Sequence, residues 1–138
     1  MDNNEEKEFF KINNLNTYSR GVNTIVKVIK QNEVREVTTR NDSSLHRVTE
    51  VLVADDTGSI YLTLWDESID EIEPNMVIQI NNAYVNVFRG SMRLNIGRYG
   101  TYEILDEDPF EEVNEENNLS SRLVEDPRRR GYRRSRRF

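Results

Sequence analysis

The sequence predicts an all-β fold, a five-stranded barrel with one short helix between its third and fourth strands. Five runs of alternating apolar and polar residues, typical of half-buried strands, occur between residues 22 and 96. A single helical pattern, residues 66–73, interrupts these runs and ends at Pro74. The apolar pattern ends near residue 105, so the barrel is expected to stop there.

The first two strands are predicted from β-branched residues and turn signals. The run 22–30 is rich in Val and Ile, and we expect it to continue past a kink into residues 34–40. The second strand is expected from about His46 to Ala54. A hairpin turn over residues 55–58 follows, in which Gly58 can adopt a positive φ.

The third strand separates a core face from an outer face. Ile60, Leu62 and Leu64 alternate with Tyr61 and Trp65. The aliphatic residues fill the core face, so the only tryptophan of the chain points away from the core. A large exposed ring of this kind needs a cover, which can be a helix, a partner protein or a flat ligand such as a nucleobase.

The fourth strand, residues 76–88, is predicted to change face partway along its length. Asp66, as N-cap, is expected to start the short helix that precedes it. Ile80 belongs to an even-numbered apolar set and Val85 to an odd-numbered one, which indicates a bulge at residues 81–83. Beyond this bulge, the side chains opposite the core are Tyr84, Asn86 and Phe88.

The fifth strand covers residues 92–96 and presents Arg93 and Asn95 outward, and a short final strand is expected at 102–105. Five strands with a helix between the third and fourth are the order of an oligonucleotide/oligosaccharide-binding (OB) barrel. A bulged, bent strand fits the closure of a small sheet. A generic β-sandwich is the alternative, but it does not predict the helix in this position.

The net charge of −6 comes from the ends of the chain. Residues 9–105 carry ten basic and twelve acidic side chains, residues 106–126 nine carboxylates, and residues 127–138 seven arginines. The balanced central region does not exclude a nucleic-acid partner. We predict a flexible N-terminus at 1–11, the barrel at 12–105, and a disordered tail, acidic and then arginine-rich, at 106–138.

Several function classes are excluded by what the sequence lacks. It has no cysteine, a single histidine (His46), and no nucleophile or phosphate-loop motif. We therefore expect no enzymatic activity, no metal site and no cofactor, and we interpret His46 as a polar residue at a strand start. The absence of a signal peptide and of a long apolar stretch predicts an intracellular protein with no membrane association.

Trp65, Tyr84 and Phe88 are predicted to form one outward aromatic surface. Tyr84 and Phe88 are four residues apart, about 13 Å along a strand, which leaves room for successive stacked bases. Tyr61 is a weaker fourth candidate. The alternative is that individual rings cap the barrel and that nearby cations are only solvated. Candidate phosphate contacts around the rings are Lys27, Arg35, Arg40, Arg47, Arg89, Arg93 and Arg98.

These residues also carry a resemblance to a known family. Residues 53–60, 64–66, 84–90 and 94–97 resemble the single-OB-fold single-stranded DNA-binding proteins of archaea and the related DNA-binding subunits of the eukaryotic SOSS complex. The resemblance covers residues 12–105, and its 94–97 segment is more similar to the archaeal members.

The resemblance implies base stacking on Trp65, Tyr84 and Phe88. It also places Lys27, Arg35 and Arg89 near the bound strand. Asn95 stands where the eukaryotic relatives usually have an aromatic residue, so a polar contact replaces a fourth stack there. A flexible C-terminal tail that binds protein partners is a further family property.

The predicted function is therefore a monomeric protein that binds and protects single-stranded DNA in replication, recombination or repair. Its tail is expected to recruit replication or repair proteins. The arginine-rich end either adds phosphate affinity or pairs with the acidic segment until DNA competes. Two alternatives stay open: an RNA-binding OB module, and an adaptor subunit that uses the aromatic face for protein contacts.

Overall fold

The computed structural model describes residues 8–40 and 43–125. It is built mainly of strands, with one α-helix. The elements are β1 (Val22–Gln31), β2 (Arg35–Thr38), β3 (Leu45–Ala54), β4 (Ser59–Trp65), α1 (Glu67–Glu71), β5 (Val77–Phe88), β6 (Ser91–Asn95) and β7 (Thr101–Leu105). Short 3-10 turns occur at Ile12–Asn14 and Leu119–Ser121.

Five strands close into a ring in the order β1-β3-β4-β6-β5, because β5 also pairs with β1. The β4–β6 pairing is parallel and the others are antiparallel. These five strands are the predicted five, and α1 lies between the third and fourth of them, so the predicted fold class is confirmed. The continuation of the first strand is a separate strand, β2, which pairs with β3.

The core fills the inside of this ring, and the alternation of each strand explains why. On β1, every second residue from Val22 to Val28 is fully buried. Ile60, Leu62 and Leu64 of β4 are likewise buried. Ile72, directly after α1, joins them. Apart from Thr24, these inward residues are aliphatic, and the chemistry available to a ligand lies on the outer surface.

The predicted bulge in β5 is confirmed. Thr24 of β1 pairs with Ile80, but Val22 pairs with Ala83, so β5 contains one extra residue there. Asn82 accommodates this residue with a φ of +58°. The side-chain alternation changes at this point, which brings the later odd-numbered residues into the core and turns the even-numbered ones outward.

The hairpin at residues 55–58 differs from its prediction. Gly58 is not among the glycines with positive φ. Its role is to leave space, because a Cβ at this position would lie 2.9 Å from the backbone oxygen of Asn117. The turn is held instead by the buried carboxylate of Asp55, whose Oδ1 accepts hydrogen bonds from the backbone N–H groups of Thr57 and Gly58.

Residues 106–125, which we call the strap, are folded onto the ring, and the prediction of disorder is wrong for this part of the chain. Backbone N–H groups of Asn114, Ser59 and Val124 donate to the carbonyls of Asp55, Asn117 and Gly90 respectively. Leu119 is 2% exposed and packs into the core.

The strap was missed because it has no periodic pattern. Its hydrogen bonds are made by isolated residues, whose partners on the strands are far away in the sequence. A single buried leucine anchors the strap, because the ring supplies the rest of the apolar surface, and one leucine gives no periodic pattern to detect. Part of the predicted flexible N-terminus is also docked: the backbone N–H of Phe10 donates to the carbonyl of Asn23 at 2.7 Å.

The remainder of both predicted ends, residues 1–7 and 126–138, lies outside the described residues. The arginine-rich segment belongs to this part, so its predicted roles stay predictions. None of the helices in the described ranges is long and apolar enough to cross a membrane.

Candidate nucleic-acid interface

Three large rings are exposed on the outer side of β4 and β5. Trp65 is 43% exposed, Tyr84 40% and Phe88 49%. Tyr84 lies between two buried residues of β5, Trp65 follows the buried Leu64, and Phe88 follows Val87, which packs against the core, so their exposure follows from strand alternation and not from a loose loop. The outward orientation predicted for all three rings is observed.

Strand pairing fixes where the rings lie relative to one another. Tyr84 is paired with Asn95 of β6, and Asn95 is paired with Thr63 of β4. Trp65, two residues after Thr63, therefore lies at the same end of the sheet as Tyr84. Trp65 and Tyr84 line one open groove, the first groove, with Asn95, Arg98 and Tyr102 among its other walls.

The backbone of Trp65 is held by the start of α1. The Ser68 hydroxyl donates to the Trp65 carbonyl at 2.8 Å and accepts from the Trp65 N–H at 3.2 Å. Asp66, between β4 and α1, adopts a φ of +51°. This turn ends the strand immediately after Trp65 and so places the ring at the rim of the sheet.

Asp66 occupies the predicted N-cap position, but its side chain makes no capping hydrogen bond. Its carboxylate instead accepts a hydrogen bond from the Arg47 backbone N–H at 3.0 Å and contacts Nδ1 of His46 at 2.7 Å. The Arg47 N–H, and after it His46, lower the pKa of Asp66. These bonds join the end of β4 to the start of β3.

Tyr84 packs against the backbone of Gly97. A Cβ on Gly97 would lie 2.8 Å from Cε1 of the Tyr84 ring, and Gly97 has a φ of +77°. Only a glycine allows both the turn and the close approach of the ring. The ring is thus supported by the protein while 40% of the residue stays accessible.

Phe88 lies at the opposite end of the face, among guanidinium groups. The Arg89 guanidinium carbon is 5.2 Å from the centroid of the Phe88 ring. That of Arg93 is 5.6 Å from the same centroid and 5.4 Å from the centroid of Tyr61. Cation–π attraction therefore positions Arg93 between two rings. Tyr61 is half-buried in this arrangement and acts as a support for Arg93.

Polar side chains connect the two ends. Asn95 Nδ2 donates to Asn86 Oδ1 at 2.5 Å. The outer face therefore runs from Trp65 and Tyr84, across this amide pair, to Arg93 and Phe88. It combines apolar rings with groups that can form hydrogen bonds, as a surface for stacked bases requires.

Four of the seven predicted cations already have a carboxylate partner. Lys27 is 2.7 Å from Asp108 of the strap, on β1 and away from the rings. The other three are Arg35 with Glu50 at 3.0 Å, Arg47 with Asp70 at 2.7 Å and Arg93 with Glu50 at 3.6 Å.

These partners act on the pKa values of the groups. The hydrogen bond from Arg47 lowers the pKa of Asp70, and that from Lys27 lowers the pKa of Asp108. The hydrogen bond to Glu50 raises the pKa of Arg35. Asp70, Asp108 and Arg35 are therefore charged at neutral pH, and a phosphate would have to compete with the carboxylates.

The other predicted cations, Arg40, Arg89 and Arg98, form no ion pair within the described ranges. Arg98 lines the first groove, and Arg89 lies beside Phe88. These two, together with Arg93, are the predicted cations that contact a ring of the outer face or share a groove with one.

One further titratable group of the first groove is Tyr102. Burial, and after it a hydrogen bond from its hydroxyl to Glu71, raises the pKa of Tyr102 to about 12. The phenol is therefore neutral at physiological pH. Its hydrogen bond to Glu71 joins β7 to α1, in the groove that Trp65 also lines.

Besides Phe9, the structure exposes two further rings in the described ranges that sequence reasoning did not select, Tyr18 and Tyr99. Both belong to loops, where the alternation that identified the other rings does not apply. The signal that would have found them is a nearby arginine in the sequence: Arg98 directly precedes Tyr99, and Arg20 follows Tyr18 by two residues.

Comparisons with known proteins agree with this geometry. The profile of the family described as "Single-stranded DNA binding protein Ssb-like, OB fold" matches residues 15–104. The single-stranded DNA binding protein Ssb of Saccharolobus solfataricus is 33% identical over 102 residues, covering 74% of this chain and 68% of the relative.

Solved structures agree as well. A hypothetical protein from Arabidopsis thaliana has a TM-score of 0.72 at 34% identity, covering 86% of this chain and 87% of its own. The replication factor A related protein of Methanobacterium thermoautotrophicum has a TM-score of 0.60 at 25% identity, covering 78% and 97%. With its ring of five strands, its exposed aromatic face and these relatives, the chain belongs to the Ssb-like family of single-stranded DNA-binding proteins with an OB fold.

Proposed function

We propose that this protein binds single-stranded DNA with little sequence preference, with bases stacked on Trp65, Tyr84 and Phe88. The observation that carries the proposal is that three rings are exposed on one outer face of the sheet. Each base–aromatic stack contributes about 1–3 kcal/mol and accepts any base, because every base has a π-face. A duplex hides these faces, so the surface suits a single strand.

The charged groups have unequal roles in this proposal. Arg89, Arg93 and Arg98 lie beside the rings and are the main phosphate contacts. Asn95 contributes a hydrogen bond to the strand. Arg35 and Arg47 are secondary contacts, since their ion pairs, at 3.0 and 2.7 Å, are closer than the 3.6 Å pair of Arg93 with Glu50 and must be exchanged for a phosphate. Arg40 and Lys27 neither line the first groove nor contact Phe88, and guide the strand only through their charge.

The biological role that fits this chemistry is the protection of exposed single strands in replication, recombination or repair. We propose that the protein acts inside the cell as a monomer. Residues beyond the strap are proposed to recruit replication or repair proteins. One relative is named a single-stranded DNA binding protein and another a replication factor A related protein, which supports this setting.

Titration of the intrinsic fluorescence of Trp65 with oligothymidine tests the proposal. Stacking should quench the single tryptophan at low salt, and the midpoint should move to higher concentration as salt rises. Unchanged fluorescence, together with no binding in an independent assay, would contradict the proposal. Competition with a matched RNA oligomer then shows whether the sugar matters.

The variant Trp65→Ala should lose one stack and keep its fold, because the ring packs outside the core. We expect affinity to fall by about 1–3 kcal/mol in an anisotropy titration. Phe9→Ala is the matched control, because Phe9 is 46% exposed but lies on the groove formed with the strap. Equal losses in the two variants would show that the outer face is not the binding site.

A further inference from the structure

A second open groove continues from the first along the second half of β5. Its walls include Tyr18, Arg20 and Tyr99, and its volume is about 580 Å³. The two grooves share Tyr84, Ile96, Gly97 and Arg98. Tyr84 therefore lies between them, and a strand stacked on its ring has a continuous path into the second groove.

The second groove has the composition of a stacking site. Tyr18 is 71% exposed and Tyr99 78% exposed. The Arg98 guanidinium carbon is 5.7 Å from the centroid of the Tyr99 ring. Exposed tyrosines beside a guanidinium offer a flat surface for a base and a cation for the phosphate that follows it.

The charge of this groove is unusual for the chain. The protein has 25 Asp and Glu against 19 Lys and Arg. Among the described residues that line the groove, none is acidic, and its only charges are Arg20 and Arg98. Neither arginine forms an ion pair within the described part of the chain. By contrast, the groove beside the strap is lined by Asp56, Glu111 and Glu112.

The loop of Tyr18 is held in place before any ligand arrives. The Tyr18 backbone N–H donates to Oδ1 of Asn16 at 2.8 Å. The Asn16 backbone N–H donates to Oγ of Ser19 at 2.9 Å, and the Val85 N–H donates to the Ser19 carbonyl at 3.0 Å. The loop is therefore fixed to β5 next to Tyr84, which reduces the entropy lost when a ligand binds.

We propose that the second groove binds the nucleotides adjacent to the base on Tyr84, with Tyr18 and Tyr99 as further stacking residues and Arg20 as a phosphate contact. This inference rests on the proposed function, since it extends the same bound strand. It divides the site into two parts that meet at Tyr84, so that affinity depends on the length of the strand.

Oligothymidines of two lengths, about four and about twelve nucleotides, separate the two parts, since single OB folds cover about 4–16 nucleotides. The double variant Tyr18→Ala/Tyr99→Ala should lose about tenfold or more in affinity for the longer strand, within the range expected for one or two stacks. Its affinity for the short strand should change less than about twofold, because the short strand is held by the first groove.

Matched controls exclude general effects. Phe9→Ala removes an exposed ring from the acidic groove and should leave both affinities unchanged. Arg20→Gln should weaken the longer strand more than Lys30→Gln, an exposed cation of β1 that lines neither groove. In NMR titrations, the amide signals of residues 18–20 and 99 should shift with the long strand and not with the short one.

The possible outcomes are distinct. If the wild type binds both lengths and the double variant binds the longer strand equally well, the second groove is not part of the binding site, and the proposed function stays intact. Binding of neither length by the wild type would overturn the proposed function and the inference with it. A loss confined to the longer strand supports both.

Discussion

Gly58 has no side chain, and Asn117 of the strap occupies the space that a side chain would fill. An added Cβ would lie 2.9 Å from both the oxygen and Nδ2 of Asn117. The backbone oxygen cannot move away easily, since it accepts a hydrogen bond from the Ser59 N–H. The glycine is thus needed for close packing of the strap and not for its own φ.

We expect Gly58→Ala to destabilise the protein by about 1–3 kcal/mol, the usual cost of overpacking a filled site. Urea unfolding followed by circular dichroism measures this as a lower midpoint. A midpoint equal to that of the wild type would mean that Asn117 of the strap makes no steric contact with a side chain at position 58. The variant should still bind oligothymidine at low temperature, because the substitution leaves the stacking residues Trp65, Tyr84 and Phe88 unchanged.

The strap contributes to the fold as an element. The early part of β4 contacts the strap in addition to pairing with β6. The Tyr61 backbone N–H donates to Oγ of Ser120 at 2.9 Å. Ser120 also contacts β6, since its hydroxyl donates to the Met92 carbonyl. The residue next to Ser120, Leu119, is buried beneath these bonds. The strap therefore closes the gap where β4 and β6 separate.

Leu119→Ala should destabilise the protein by about 2–5 kcal/mol, the range for removal of a buried leucine. Leu123→Ala is the matched control in the same strap, because Leu123 is 88% exposed and surface changes are usually within about 0.5 kcal/mol. The free energies of unfolding of the two variants give the comparison. Similar values would show that Leu119 does not complete the core.

At the scale of the whole molecule, the described part of the chain is acidic and the remaining C-terminal residues are basic. Removal of residues 126–138 takes away seven arginines and one aspartate. It leaves 12 basic against 24 acidic residues, a formal charge of −12 instead of −6. The strap is preserved by this truncation, so its effect is electrostatic.

We expect the chain ending at Glu125 to bind oligothymidine more weakly and with a flatter dependence on salt. Each phosphate no longer neutralised lowers the slope of log affinity against log salt by about 0.7 for a single strand. Replacement of the seven arginines by lysine is the control, because it keeps the charge. An unchanged slope after truncation would show that the tail has no part in DNA binding.

The β pattern and the outward direction of Trp65, Tyr84 and Phe88 could be predicted from the sequence. Strand alternation is local: it relates residues two apart, and even the bulge of β5 follows from a change of parity. The order of strands and helix also indicated the OB fold. These features require no knowledge of which distant residues meet.

The sequence by itself therefore determined the strands, the aromatic face and the family resemblance. Tertiary structure alone decided that Glu50 engages Arg35 and Arg93, that Asn117 fills the space above Gly58, and that Tyr18 and Tyr99 line one groove with Tyr84. These contacts join residues far apart in the chain through strand register and loop docking. Their positions depend on how the whole ring closes, which no local pattern encodes.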